Sequence, residues 1–286
     1  MEIFEFEPFK GIALLPKESK SIIKNEQATI NCGRDRADYI NKENDKIIIK
    51  FNEKIFEIDY DVLEKHVNRR SVLLIDKDYY EAEVRSTNNY YKLVPVNDTY
   101  YTTLEINGIH MHRIKGITPM EDAKRKVEVA AVRKGVRVLE IGTGLGYTAI
   151  NSLKFGAREV ITIEKDQNVL WLAERNPWSY ELNSEKIKII LGNAFDIIKD
   201  FNNEFDIIIH DPPRFTSNSS ELYSIEFYKY LYSALKRNGV LFHYTGEPGR
   251  VKGKGFPLKI SGKLKDVGFE VLRYDSIAMG IKAIKK

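Results

Sequence analysis

Between Val136 and Ile284, short apolar runs alternate with stretches of helical periodicity. The runs Val136–Ile141, Glu159–Ile163, Lys186–Leu191, Phe205–His210 and Gly239–Tyr244 predict buried strands. Two more follow at Glu270–Tyr274 and Ile277–Ile284. Helical spacing marks Tyr147–Phe155, Asn168–Arg175, Ser224–Lys236 and Leu258–Val267. Strands separated by helices predict a mostly parallel sheet with right-handed crossovers. Only Asp275 and Ser276 join the last two runs. That is too short for a parallel crossover, so these strands should pair antiparallel.

Upstream the pattern changes. Lys46–Phe51 and Lys54–Tyr60 flank Asn52-Glu53, as a hairpin does. Ser71–Ile75, Tyr80–Val84, Tyr90–Val94 and Thr102–Ile106 continue the β-rich character, with turn chemistry at Asn88-Asn89 and Asn107-Gly108. Asp61–His66 predicts a turn or two of helix. Thr118, Pro119 and Glu121 then mark a helix start, with a cap, a proline at the first helical position and a capping-box acid. This places a smaller β-rich domain at residues 1–115 and an α/β domain at 116–286.

Composition narrows the class. Hydrophobic residues make up 43% and charged residues 30%, with a net charge of +4 spread along the chain. Such a balance allows an anionic partner without pointing to one. Cys32 is the only cysteine, which excludes an intrachain disulfide and a CxxC metal site. The N-terminus is acidic, unlike a signal peptide, and no apolar run reaches the roughly 20 residues of a membrane helix. A cytoplasmic protein without a membrane partner is expected. Abundant Ile, Lys and Glu beside four Met hint at heat adaptation. His110 and His112 share a strand face, but no acidic ligand follows at a metal-binding spacing, so no metal is expected.

The chemistry gathers at the carboxyl ends of the predicted strands. Gly142, Gly144 and Gly146 follow the first strand and open a helix, a corner suited to negative charge. The spacing is GxGxG, and Tyr147 stands where a dinucleotide fingerprint wants a small residue. Glu164 ends the second strand, where an acid can hold a ribose diol; Asp166 competes for that role. Asn193 and Asp196 follow the third strand as candidates for an adenine edge, with Ala194 offering a backbone amide. His210-Asp211-Pro212-Pro213-Arg214 follows the fourth. There two prolines stiffen a loop that presents a carboxylate and a proline carbonyl. His210 and His243 end neighbouring strands, as general bases or as structural histidines. A glycine-rich basic loop, Gly246 to Gly255, lies at the same sheet edge.

With these motifs, residues 116 to 286 resemble class I S-adenosylmethionine-dependent methyltransferases. The closing strand hairpin agrees with that family's antiparallel seventh strand. More narrowly, His210-Asp-Pro-Pro-Arg-Phe-Thr216 and Leu241-Phe-His-Tyr-Thr-Gly246 resemble archaeal predicted methyltransferases with a β-rich N-terminal extension. The resemblance implies a Rossmann-like class I methyltransferase sheet that binds S-adenosyl-L-methionine. Glu140, Gly142, Thr143, Gly144 and Gly146 would surround its methionine part. Glu164 with Lys165 would meet the ribose, and Asn193 and Ala194 the adenine. Asp211 and Pro212 would face the methyl-accepting atom, with His210 and Arg214 beside them. Amino-methylating relatives place a base-stacking aromatic where this chain has Arg214, which leaves a phosphate or carboxylate contact, or a salt bridge within the domain, as its role.

The resulting expectation is N-methylation, with RNA the first candidate acceptor and a small molecule or protein still open; oligomeric state is not legible. Uridine C5 methylation needs a cysteine beyond Cys32, and there is none. The alternative is aminopropyl transfer, as in polyamine synthases, which share this fold and a β-rich N-terminal domain. Those enzymes use decarboxylated S-adenosylmethionine and several acids, and here Tyr228 or Glu221 would have to supply what Arg214 does not.

Overall fold

The computed structural model describes residues 2–24, 29–246 and 255–286. Most of the glycine-rich basic loop (247–254) lies outside the described residues. The chain divides into two compact units, and neither is contiguous. One comprises residues 1–6, 120–167 and 182–286, and the other residues 7–119 and 168–181.

The first unit is built on an eight-stranded sheet. Its strands are β1 (Glu2–Phe4), β2 (Arg137–Ile141), β3 (Glu159–Glu164), β4 (Ile187–Leu191), β5 (Phe205–His210), β6 (Leu235–Tyr244), β7 (Phe269–Asp275) and β8 (Gly280–Lys285). They lie in the order β1-β4-β3-β2-β5-β6-β8-β7. Strands β4, β3, β2, β5 and β6 run parallel, while β8 is antiparallel to both β6 and β7. This is the Rossmann-like class I methyltransferase sheet expected from the sequence, mostly parallel with an antiparallel final hairpin.

The central strands read as continuous apolar runs because both faces are covered. Leu139, Ile141, Ile161, Ile163, Ile208 and Leu241 pack with Leu231 of helix α4 (Ile225–Ala234) and Ile260 and Leu264 of α5 (Phe256–Val267). The alternate residues Val138, Val160, Ile207 and Phe242 are equally buried and must face the other side. There α2 (Tyr147–Lys154) packs on β2 and β3. Burying each such side chain contributes about 1.5–3 kcal/mol.

Several elements differ from expectation for local reasons. Residues 2–4 form β1, antiparallel on β4 with Ile3 opposite Ile190; three residues are too few to show a period. Helix α4 stops at Ala234, and β6 starts at Leu235, earlier than expected, with a register irregularity against β5 between Phe205 and Ile207. The final strand begins at Gly280 rather than Ile277. Helix α1 (Pro119–Val129) begins at the expected proline, and Ala131 just beyond its end is left-handed at φ +60°.

The second unit is β-rich, with small antiparallel sheets. Tyr39–Glu43, Lys46–Phe51 and Lys54–Asp59 form a meander. Asn52 and Glu53 turn it at φ +49° and +63°, the left-handed pair that a two-residue hairpin requires. A second meander runs Glu83–Arg85, Tyr90–Pro95, Thr102–Ile106 and Ile109–His110. Ile12–Leu14, Leu73–Ile75 and Tyr79–Glu81 form a third sheet. Helix Pro16–Ile23 was not expected. The buried Glu18 carboxylate accepts from the amides of Leu15 and Gly33, and burial pushes its pKa up to about 7. Among the described residues, no helix is long and apolar enough to cross a membrane.

Candidate active site

Strand register brings the candidate residues to one edge of the sheet. Ile141 pairs with His210, Glu164 with Leu191, and His210 with His243, so the carboxyl ends of β2 to β6 lie side by side. Gly142, Gly144 and Gly146 are all left-handed, at φ +93°, +54° and +75°. At Gly142 a Cβ would stand 2.8 Å from the Asp211 carbonyl oxygen, so the first glycine admits the loop after β5. Its amide donates to the Ile163 carbonyl at 3.0 Å.

Glu164 sits against this turn. One carboxylate oxygen accepts from the Gly144 amide at 3.1 Å, and the other from the Lys165 and Asp166 amides at 3.0 and 3.2 Å. Burial raises its pKa against these hydrogen bonds. A carboxylate offers about four acceptor positions, and these amides take three, so an acceptor remains beside the glycine turn. Lys165 itself is exposed. Asn193 caps a short helix, α3 (Ala194–Ile197), through the Phe195 amide, and its Nδ2 donates to Glu221 at 3.2 Å.

Glu140 is almost wholly buried and accepts from the Thr162 hydroxyl at 2.7 Å. That hydroxyl also shares a 2.7 Å hydrogen bond with Thr143. Burial pushes the Glu140 carboxyl up to about 8, and the Asp211 charge adds to the rise, against Thr162 and Lys126. Asp211 does not stand alone. Its Oδ2 accepts from Lys126 Nζ at 2.6 Å, and the same ammonium lies 3.2 Å from Asp122 and 4.2 Å from the centre of the Tyr244 ring. Burial alone would lower the Lys126 pKa, but Asp211 and Asp122 together raise it.

The loop after Asp211 is tied down from one side. Tyr223 donates its hydroxyl to the Pro213 carbonyl at 2.7 Å, and Ser219 donates to the Arg214 carbonyl at 2.8 Å. The Pro213 carbonyl is therefore already engaged; Pro212 is buried and Arg214 exposed.

The histidines are interior groups. His210 is fully buried against the rings of Tyr223, Phe227 and His243, and its Nε2 donates to the Leu222 carbonyl at 2.9 Å. Burial holds its pKa well below the usual value, with His243 adding to the effect. His243 is also fully buried; its Nδ1 donates to the Tyr244 carbonyl, and its Nε2 accepts from Tyr228. Burial lowers its pKa to about 4. A neutral, enclosed ring packs the floor of the site and does not reach an acceptor. Tyr228 is enclosed in the same way, which leaves Glu221 as the sequence-derived candidate for an added polar group.

Lys126, Asp122, Tyr244, Tyr223 and Ser219 are additions that sequence reasoning missed. The Asp122/Lys126 spacing of four on one helix was legible; its meeting with Asp211 required the fold.

The chain is 46% identical over 247 residues to the uncharacterized protein MJ1233 of Methanocaldococcus jannaschii, covering 85% of this chain and 83% of that protein. It belongs to the MJ1233 family. Within this MJ1233-family chain, residues 126–254 match the Spermine/spermidine synthase domain. The polyamine aminopropyltransferase of the same organism is 23% identical over 210 residues, covering 72% of this chain and 68% of that one. A spermidine synthase solved in complex with the transition state analogue AdoDATO superposes with a TM-score of 0.58 at 23% identity, covering 71% of this chain and 73% of that one. The MJ1233-family chain is thus related to the spermidine synthases and shares their fold.

Proposed function

We propose that this protein transfers an aminopropyl group from decarboxylated S-adenosylmethionine to an amine. The observation that carries the proposal is charge. Among the described residues, Asp122, Glu140 and Asp211 bring three carboxyl groups around the Lys126 ammonium. A donor whose tail ends in an ammonium adds a cation to this acidic cluster. A donor that keeps its carboxylate adds an anion beside Asp122 and Asp211, which their charges disfavour.

The residues present fit an S-adenosyl donor. Glu164 keeps an acceptor beside the left-handed glycine turn, where its carboxylate already accepts from the Gly144 amide. When bound, the donor supplies a sulfonium carbon open to attack. Asp211 would hold the acceptor amine, align its lone pair and receive its proton. The similarity to the aminopropyltransferase covers most of the chain, which supports the same reaction type.

Methyl transfer to nitrogen, with RNA as acceptor, is the second reading. It is favoured by the Asp211-Pro212-Pro213 loop with Arg214 exposed beyond it. Calorimetry separates the two. The proposal expects decarboxylated S-adenosylmethionine to bind about tenfold or more tighter than the carboxylated form, a difference of roughly 1.4 kcal/mol. Tighter binding of S-adenosylmethionine would favour methyl transfer, and binding of NAD alone would exclude both.

A further inference from the structure

Lys126 occupies the centre of the site. It is 7% exposed, and its ammonium is shared by carboxylates on two different elements. Asp122 stands one turn earlier on the same helix, so its 3.2 Å pairing with Lys126 is set by α1 itself. Asp211 comes from the loop after β5, and its 2.6 Å contact puts the ammonium where an acceptor amine would bind. The Tyr244 ring covers the ammonium at 4.2 Å. The neighbouring Arg125 pairs with Asp275 at 3.2 Å and is balanced there.

Resting on the amine-alkylation reading above, we propose that Lys126 is a positioning residue with two stations. It closes Asp211 in the empty site and withdraws to Asp122 when the acceptor takes Asp211. From there its charge keeps the bound amine deprotonated and nucleophilic.

The chemistry requires such a device. A free aliphatic amine titrates near pH ~10.4 and is almost entirely protonated, without a lone pair, at neutral pH. Asp122 and Asp211 share one ammonium at 3.2 and 2.6 Å, so an amine that takes the Asp211 position stands beside an ammonium still held at Asp122. A like charge within about 4–6 Å lowers an amine pKa, against the rise that Asp211 itself causes. Among the described residues, the charged and titratable groups facing Lys126 are Asp122 on α1, Glu140 on β2, Asp211 after β5 and Tyr244 at the end of β6. The buried Glu140 is held up at about 8 and so opposes Lys126 only weakly at neutral pH. In the step itself, the amine lone pair forms the C–N bond and the C–S bond breaks with its pair going to sulfur. The alkylated ammonium then passes a proton to Asp211 and on to water.

The test is the pH profile of kcat/KM with decarboxylated S-adenosylmethionine and 1,4-diaminobutane, for the wild type, Lys126→Met and Lys126→Arg. Lys126→Met should move the acid limb upward by about one pH unit or more, and Lys126→Arg should restore it. If Lys126→Met does not melt cooperatively, Lys126→Met with Asp122→Asn removes one charge of each sign and should still move the limb upward, by less than Lys126→Met would alone. An unmoved acid limb in a folded variant overturns the role. So does a loss of S-adenosylmethionine binding that spares the decarboxylated form, because Lys126 would then be the partner of the donor carboxylate. If the wild type transfers nothing to any amine, the reading of the site fails and the role with it. Transfer with an unmoved limb overturns the role alone.

Discussion

Replacing Gly142 by alanine probes the joint between the glycine turn and Asp211. At φ +93° an L-residue is strained, at a cost of about 1–2 kcal/mol. The new Cβ would also stand 2.8 Å from the Asp211 carbonyl oxygen. Both partners are backbone, so neither can swing aside as a side-chain tip would. Overpacking of this kind adds about 1–3 kcal/mol. Gly135→Ala is the control, because its φ is +86° and nothing lies within 4 Å of the added Cβ. The control should lose only the backbone part. Urea melts of both variants should therefore differ by about 1–3 kcal/mol, and only Gly142→Ala should weaken donor binding, by about tenfold or more. If Gly142→Ala costs no more than Gly135→Ala, or keeps full donor affinity, the close approach of the two loops is not what the site depends on.

Other substitutions separate donor, acceptor and fold. Glu164→Ala removes the acceptor beside the glycine turn and should weaken donor binding about tenfold or more in calorimetry. Asp211→Asn takes one charge from the acidic cluster and should abolish transfer while the decarboxylated donor still binds measurably in calorimetry. Tyr223→Phe loses the hydroxyl that holds the Pro213 carbonyl, about 0.5–1.5 kcal/mol; KM for the acceptor should rise while donor affinity holds. Glu140 carries a pH signature. Its carboxyl titrates at about 8 in the fold against 4.5 when unperturbed. The folded state therefore holds the proton that the unfolded chain has lost, and this contribution to stability is complete below the lower value and fades as pH rises through the upper one. Glu140→Gln should raise the melting temperature above that of the wild type at pH 8.5 and leave it nearly unchanged at pH 5. Equal melting at both values would contradict the assigned burial.

The strand and glycine pattern was legible because covered parallel strands are apolar throughout and the turn after β2 needs left-handed glycines. The antiparallel pairing of β7 and β8 followed from the short connection between them, whereas the order of the parallel strands became visible only in the fold. What escaped depended on contacts distant in sequence. The three residues of β1 carry no period and are strands only because β4 offers an edge. Helix Pro16–Ile23 is anchored by Glu18, a buried acid that looks like a surface residue in the sequence. At the site, Glu164 and Asp211 could be placed from strand ends alone. Lys126 could not, since nothing local distinguishes it from the other charges of α1 until Asp211 closes on it. His210 illustrates the converse. A histidine beside a motif suggested chemistry, whereas its ring fills the aromatic floor beneath the loop.

The most direct measurement is the identity of the nucleoside released on turnover with an amine acceptor. Aminopropyl transfer leaves methylthioadenosine, because the bond from sulfur to the propyl carbon is the one that breaks. Chromatography of a reaction with decarboxylated S-adenosylmethionine should show methylthioadenosine formed in step with an alkylated amine, lost in Asp211→Asn. Release of S-adenosylhomocysteine from S-adenosylmethionine, with no methylthioadenosine under either donor, would contradict the account.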